Sequence, residues 1–216
     1  MTKVIAIVGM GEGIALAVAR RFAREGFAIA MVARNEAKLQ GFKDRLKAEG
    51  YDAYSFIADG GDDASLTAAI TAIQDQLGTV EVLVYNIAIP TMKNVLDETV
   101  EGLMSDFKAN VVGGLVAAQA VLPAMKAQGN GTILFTGGGF SMYPSADFAS
   151  LSIGKAGIRS LTKMLAEALQ PQGIRVGTVT VCGTVNPDDP KYNPTSIAEN
   201  YWAFYANPSS DVEIVY

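Results

Sequence analysis

Val4-Ile5-Ala6-Ile7-Val8 is an unbroken apolar run of strand length, and a glycine-rich turn and a helix-period segment follow it at once. A strand that is apolar on both faces must be covered on both faces, which points to a parallel sheet carrying crossover helices. The same unit recurs along the chain. Segment 14–24 repeats apolar residues at helical spacing and ends near Gly26, and Ala28–Ala33 is a second buried run. Asn35 can cap a helix through Lys47, with Gly50 just past its end. Segments 54–57 and 82–85 are strand-like, and between them 65–77 is helical and stops at Gly78.

A long helix is expected over Val100–Gln128, with Pro123 marking a kink or break. Strands follow at 132–136 and 175–181, separated by a helix over 150–170 that Pro171 stops. Asn193 and Pro194 are a good cap and first position for a helix to Tyr205, and 211–215 offers one last strand. Right-handed crossovers then give a doubly wound parallel sheet, a three-layer α/β/α Rossmann fold, with residues 1–216 as a single domain. Its ligand crevice lies outside the carboxyl ends of the strands. Segments 137–147 and 183–193 are irregular, follow strands and should overhang it.

Composition removes several chemistries. The chain has 216 residues, one cysteine (Cys182) and no histidine, so no internal disulfide, no Cys-x-x-Cys pair and no His-based triad is available, and a metal site is not expected. The net charge of −5 and the lack of a basic–aromatic cluster speak against nucleic acid. No secretory pattern precedes the first strand, and no apolar run reaches the ~18–20 residues of a membrane span, so a cytoplasmic protein without a membrane partner is expected. Only 18% of residues are charged, which leaves surface for partner subunits.

The first strand–helix turn reads Gly9-Met10-Gly11-Glu12-Gly13-Ile14-Ala15. One glycine permits the tight turn, another lets backbone approach a pyrophosphate, and the N–H groups opening the helix face the phosphates. Taken alone the pattern is weak, and an ordinary glycine turn would look the same; at the first junction of a doubly wound chain it points to a nucleotide.

Gly9 and Gly13 match the first glycines of the TGxxxGxG loop of short-chain dehydrogenases/reductases, with Val8 at the Thr position and Ala15 at the third glycine. Further motifs come in that family's order: Asp59 after the third strand, Tyr85-Asn86-Ile87-Ala88 for NNAG, Asn110-Val111-Val112-Gly113 for NVxG, Gly173-Ile174-Arg175-Val176 for GIRV, and Gly183 of the NPG turn. The chain thus resembles this family across residues 4–185. The resemblance implies that Gly9, Gly11, Glu12, Gly13, Ile14, Arg34, Asp59, Gly60, Asn86, Ala88, Lys155, Gly183 and Val185 bind the cofactor. An acidic residue ending the second strand would select NAD; here Ala33 is followed by Arg34, which suits a 2′-phosphate. Glu12 argues the other way, since its carboxylate would repel that phosphate. NADP is favoured, with NAD as the alternative.

The resemblance also implies an oxidoreductase acting on a carbonyl or alcohol through Asn, Ser, Tyr and Lys. Asn110 and Lys155 hold two of those positions. Leu151 stands at the Tyr position, four residues before Lys155, and Gly138 at the Ser position. The reactive groups are therefore expected to be Asn110, Lys155 and a substitute donor. Tyr143 is the first choice over Ser141, Ser150 and Ser152, although a pocket wall would also account for it. A non-catalytic dinucleotide sensor or partner subunit is the alternative, and an enzyme of another class with structural NAD(P) a third. The substrate is an unidentified small molecule. A homodimer is expected through helices 100–128 and 150–170, whose small and apolar residues include Ala109, Val112, Leu115, Ala118 and Val121 on one and Ile158, Leu161, Leu165 and Ala168 on the other.

Overall fold

The computed structural model describes residues 2–216. Seven strands, β1 (Val4–Val8), β2 (Ala28–Ala33), β3 (Ala53–Ile57), β4 (Val80–Tyr85), β5 (Gly131–Gly138), β6 (Ile174–Val181) and β7 (Glu213–Val215), form one parallel sheet in the order β3-β2-β1-β4-β5-β6-β7. The expected doubly wound α/β fold is borne out. Side-chain alternation divides each strand between two cores. Ile5 and Ile7 pack with α1 (Ile14–Ala23), α2 (Glu36–Ala48) and α7 (Pro194–Ala206). Val4, Ala6 and Val8 pack toward α3 (Asp63–Leu77), α5 (Gly113–Gln128) and α6 (Ala149–Leu169). Strand order reverses between β1 and β4, and at that switch point the strand ends splay around a crevice.

Local chemistry sets the helix starts. Asn35 and Asn193 cap α2 and α7, accepting from Lys38 N at 2.9 Å and Ser196 N at 2.8 Å. Asp62 caps α3, which therefore begins two residues earlier than its apolar pattern indicates.

The expected single helix over Val100–Gln128 is divided differently. It runs as α4 (Val100–Phe107), a π-helical segment Lys108–Val112 and α5, which continues through Pro123. The irregularity thus falls at 108–112, where one residue is inserted into the hydrogen-bond ladder, and not at the proline. The buried Tyr85 hydroxyl donates to the Ala109 carbonyl in this segment. Val100–Gln128 is also long and apolar enough to cross a membrane, which corrects the expectation that no segment is. Ala117, Ala118, Val121 and Met125 of this helix are fully buried against the sheet, so its apolar character belongs to the core.

Gly113 couples this helix to the crevice. A Cβ there would meet the Gly60 carbonyl oxygen at 2.1 Å, and Gly60 lines the crevice. Backbone on the far side of the contact cannot rotate away as a side chain could. Gly113→Ala should therefore cost about 2 kcal/mol or more and lower Tm by roughly 4–8 °C in a thermal melt. An unchanged Tm would show that the helix–loop contact has room to spare.

Candidate functional site

The switch-point crevice has a volume of about 1260 Å³. Gly9 makes the turn into it: its φ of +89° lies in the left-handed region, and a Cβ would stand 2.9 Å from Ile87 N. Gly9 N and Met10 N both donate to Val32 O, at 2.9 and 3.1 Å, which ties the loop to β2. Gly11 and Gly13 differ from Gly9, because a Cβ on either would meet nothing within 4 Å. The protein itself does not require glycine there, whereas a ligand lying close on the backbone would. Helix α1 opens from Gly13 with no side-chain cap and no acidic residue in its first turn. Leu16 N donates back to Gly11 O at 3.1 Å, which leaves the N–H groups of Ile14 and Ala15 to meet an anion. Bare backbone beside an uncapped helix start fits a dinucleotide pyrophosphate.

A hydrogen-bonded chain holds the strand ends together beneath the crevice. Asn86 Nδ2 donates to Gly9 O at 3.1 Å, and the Thr136 hydroxyl donates to Asn86 Oδ1 at 2.8 Å. The fully buried Tyr201 hydroxyl on α7 lies 2.7 Å from the same Thr136 oxygen. Sequence reasoning named Asn86 but missed Thr136 and Tyr201. The link joins residues 65 positions apart, and no local pattern encodes it.

Lys155 lies on α6 at the crevice wall, 8% exposed, with Nζ donating to Thr136 O at 2.7 Å. It forms no ion pair among the described residues. Burial without a counter-charge pushes its amine down to about 8. Leu151 and Gly138 also line the crevice, and a Cβ on Gly138 would touch the Lys155 stem at 3.4 Å, an ordinary contact. Of the other hydroxyls weighed from sequence, Ser150 donates to Asp106 Oδ2 at 2.6 Å and Ser152 to Ser145 O at 3.3 Å. Neither lines the crevice, and nor does Ser141. Tyr143 does line it, with 77% of its surface exposed.

Every other cofactor position singled out from sequence borders the crevice except Glu12. Arg34 and Asp59 face each other there, Nη1 to Oδ2 at 3.7 Å, and Asp59 Oδ1 accepts from Gly61 N at 2.9 Å. The Glu12 side chain borders instead a smaller groove beside α1, and is paired with Arg45 of α2. Asn110 lies behind the crevice wall in the π segment, 3% exposed. Its Oδ1 accepts from Ile89 N at 2.9 Å, and its buried Nδ2 has no partner among the described residues.

Two loop expectations are refined. Segment 137–147 is not wholly irregular: β5 extends through Gly138, paired with Val181, and a short 3₁₀ turn follows at Gly139–Ser141. In 183–193, Tyr192 packs so closely over Gly183 that a Cβ there would lie 2.3 Å from its ring. Tyr216 meets Tyr192 edge-on, with centroids 5.9 Å apart. The residues expected on the dimer face divide, with Val112, Leu115 and Leu165 half-buried and Ala168 exposed. Ala109, Ala118, Val121, Ile158 and Leu161 are buried within the chain, because those positions face its own core and π segment. The exposed large apolar residues of these helices are Val100, Met104, Ile153 and Met164.

With this geometry in view, the family model for short chain dehydrogenases matches residues 3–193. The chain is 30% identical over 185 residues to 2,5-dichloro-2,5-cyclohexadiene-1,4-diol dehydrogenase LinX of Sphingobium indicum, covering 86% of this chain and 74% of that protein. It is 32% identical over 186 residues to 2-(S)-hydroxypropyl-CoM dehydrogenase 3 of Xanthobacter autotrophicus, covering 84% and 73%. A crystal structure of a short-chain dehydrogenase from Rhodopseudomonas palustris superposes with a TM-score of 0.89 at 25% identity, over 99% of this chain and 97% of that one. The chain belongs to the short-chain dehydrogenase family, as its motifs imply. The alternative of a non-catalytic sensor finds no support in these relatives.

The Lys155 amine has a stability signature. Unfolded, it keeps its proton up to the usual 10.5; folded, only up to about 8. Between those values unfolding takes up a proton, so raising the pH relieves the cost of burying the charge. Wild type should gain on the order of 1–3 kcal/mol relative to Lys155→Met between pH ~7 and ~10, measured by urea unfolding. Parallel pH curves for the two proteins would mean that the buried amine titrates normally.

Proposed function

We propose that the chain is an NADP-dependent oxidoreductase of a single domain over 1–216, with NAD as the alternative nucleotide, interconverting a carbonyl and an alcohol on a small molecule. The observation carrying this reading is the convergence on one crevice of the open Gly11–Gly13 backbone, the Arg34 guanidinium and the buried Lys155 amine. A related metagenomic short-chain oxidoreductase, 23% identical with a TM-score of 0.90, was solved in complex with NADP. Gly9, Gly11, Gly13 and Ile14 would hold the pyrophosphate, with Glu12 contributing backbone. Arg34 would take the 2′-phosphate through charge-assisted hydrogen bonds. Asp59 and Gly60 would border the adenine, Asn86 and Ala88 the adjoining ribose, and Gly183 and Val185 the nicotinamide.

The bound nicotinamide supplies or accepts the hydride. Lys155 would hold its ribose, and Asn110, whose buried Nδ2 lacks a partner among the described residues, would fix a water behind the wall. Tyr143 is proposed to deliver the proton, since Ser150 and Ser152 are bonded elsewhere, Ser141 does not border the crevice, and Tyr143 does. On the substrate side the lining is apolar, with Ile89, Pro90, Leu151 and the stacked rings of Phe140 and Phe148, 5.4 Å apart. That surface favours a neutral, apolar carbonyl compound over a charged one. The protein is proposed to be soluble and cytoplasmic, without a nucleic-acid or membrane partner, and to dimerise through the face bearing Val100, Met104, Ile153 and Met164.

Calorimetry should show NADP+ binding more tightly than NAD+, and Arg34→Ala should remove the preference at a cost of about 10-fold or more in NADP+ affinity. No binding of either nucleotide would sink the cofactor assignment. Against a panel of neutral aromatic and aliphatic ketones, oxidation of NADPH followed by absorbance should fall about 100-fold or more in Tyr143→Phe. Turnover that survives this change removes Tyr143 as the acid, and a double Leu151→Tyr, Gly138→Ser variant then tests whether a phenol and hydroxyl on those sites raise it.

A further inference from the structure

Glu12 sits between Gly11 and Gly13 on the turn that would cradle the phosphates, and no neighbouring Cβ restricts its side chain. Its carboxylate nevertheless points out of the crevice. It is bound by the Arg45 guanidinium, 33 residues on in sequence, from the last turns of α2. Arg45 also stands over the Phe42 ring, with its guanidinium carbon 5.9 Å from the centroid. A second pair lies alongside: Arg20 Nε donates to both oxygens of Glu49, at 2.9 and 3.1 Å. The pairs feel each other, because Arg45 acts on Glu49 and Glu12 on Arg20. The charges alternate as Glu12, Arg45, Glu49, Arg20. Such a row keeps its geometry better than an isolated exposed pair.

We infer that Arg45 is a positioning residue for cofactor choice: by holding the Glu12 carboxylate on the α2 side, it leaves the Arg34 side of the crevice open to a nucleotide carrying a 2′-phosphate. The inference rests on the NADP reading and adds a residue that does not border the crevice. It also removes the conflict between Arg34 and Glu12 seen in the sequence. Glu12 is repulsive only if its charge is unpaired and free to swing over the crevice mouth. Freed there, one carboxylate acting on a phosphate dianion across several ångströms of water would weaken binding about 3- to 10-fold. A nucleotide lacking that phosphate would hardly notice.

The test is a binding cycle with NADP+, NAD+ and adenosine 2′,5′-bisphosphate, by calorimetry, on wild type, Arg45→Ala, Glu12→Gln, the double variant and Arg34→Ala. Arg45→Ala should weaken NADP+ and the bisphosphate about 3- to 10-fold at low salt while moving NAD+ less than about 2-fold. Raising the ionic strength from about 0.05 to 0.5 M should shrink that loss, and Glu12→Gln in the same chain should restore affinity. Arg45→Gln, which keeps a polar side chain, guards against a folding defect, and melting curves check both variants. The inference is overturned if Arg45→Ala leaves NADP+ binding unchanged, weakens both nucleotides alike, or loses as much in the Glu12→Gln background. If wild type does not prefer NADP+ and Arg34→Ala has no effect, the NADP reading fails and takes this inference with it. A preference that needs Arg34 but ignores Arg45 removes the inference alone.

Discussion

Thr136, near the end of β5, is the joint on which the crevice depends. Its carbonyl accepts from the Lys155 ammonium, and its hydroxyl joins Asn86 of the β4 end to Tyr201 of α7. Asn86 in turn reaches the Gly9 carbonyl at the end of β1. One residue thus fixes the relative heights of the strand ends at the switch point and the direction of the buried amine. The bonds of Thr136 to Tyr201 and Lys155 are removed from water, so leaving either unmade would leave a costly unpaired polar atom. The cost falls on the alternatives to this geometry, and the crevice is held in one shape before any ligand arrives.

The π segment makes a second support of the same kind. Inserting a residue into the ladder between α4 and α5 disturbs the regular helical pairing, and the Tyr85 hydroxyl bonds to the Ala109 carbonyl there. The insertion turns Asn110 to the crevice's back wall, where it accepts from Ile89 N and meets α6 across Gly154. A Cβ at Gly154 would lie 2.9 Å from the Asn110 side chain, so the approach of the two helices depends on that glycine. Sheet, π segment and Lys155 helix are locked through short polar contacts rather than through apolar packing alone.

What was legible in the sequence was what short spacing encodes. Short β-rich runs located β1, β2, β3 and β6 to within one residue, and Asn35, Asn193 and the glycine turn announced their own local roles. The order of the family motifs located the crevice lining. What was not legible lies between residues far apart. Glu12 and Arg45 are unremarkable singly, and only the fold pairs them. Tyr201 reads as one more aromatic of an apolar helix, yet its hydroxyl is a site contact. The π insertion leaves no periodic trace, because five residues are too few to shift a helical pattern visibly. The apolar residues of α5 and α6 could not be divided between core and partner face until the sheet showed which side it occupied.

The two halves of the site are constrained by different things. On the nucleotide side the backbone decides: Gly9 must take a left-handed turn against Ile87, and at Gly60 a Cβ would strike the Ile87 side chain at 2.1 Å. Changing Gly9 disturbs the fold, whereas at Gly60 it is the tip of the Ile87 side chain that has to move. On the reactive side the constraint is slack. Gly138 has room for a Cβ in ordinary contact with Lys155, and Leu151 opens onto the crevice rather than into either main core. The scaffold would accept a hydroxyl at the first and has space beside the second. It therefore does not dictate glycine and leucine at these positions. Both positions line the crevice beside Lys155, whose burial holds its proton affinity down.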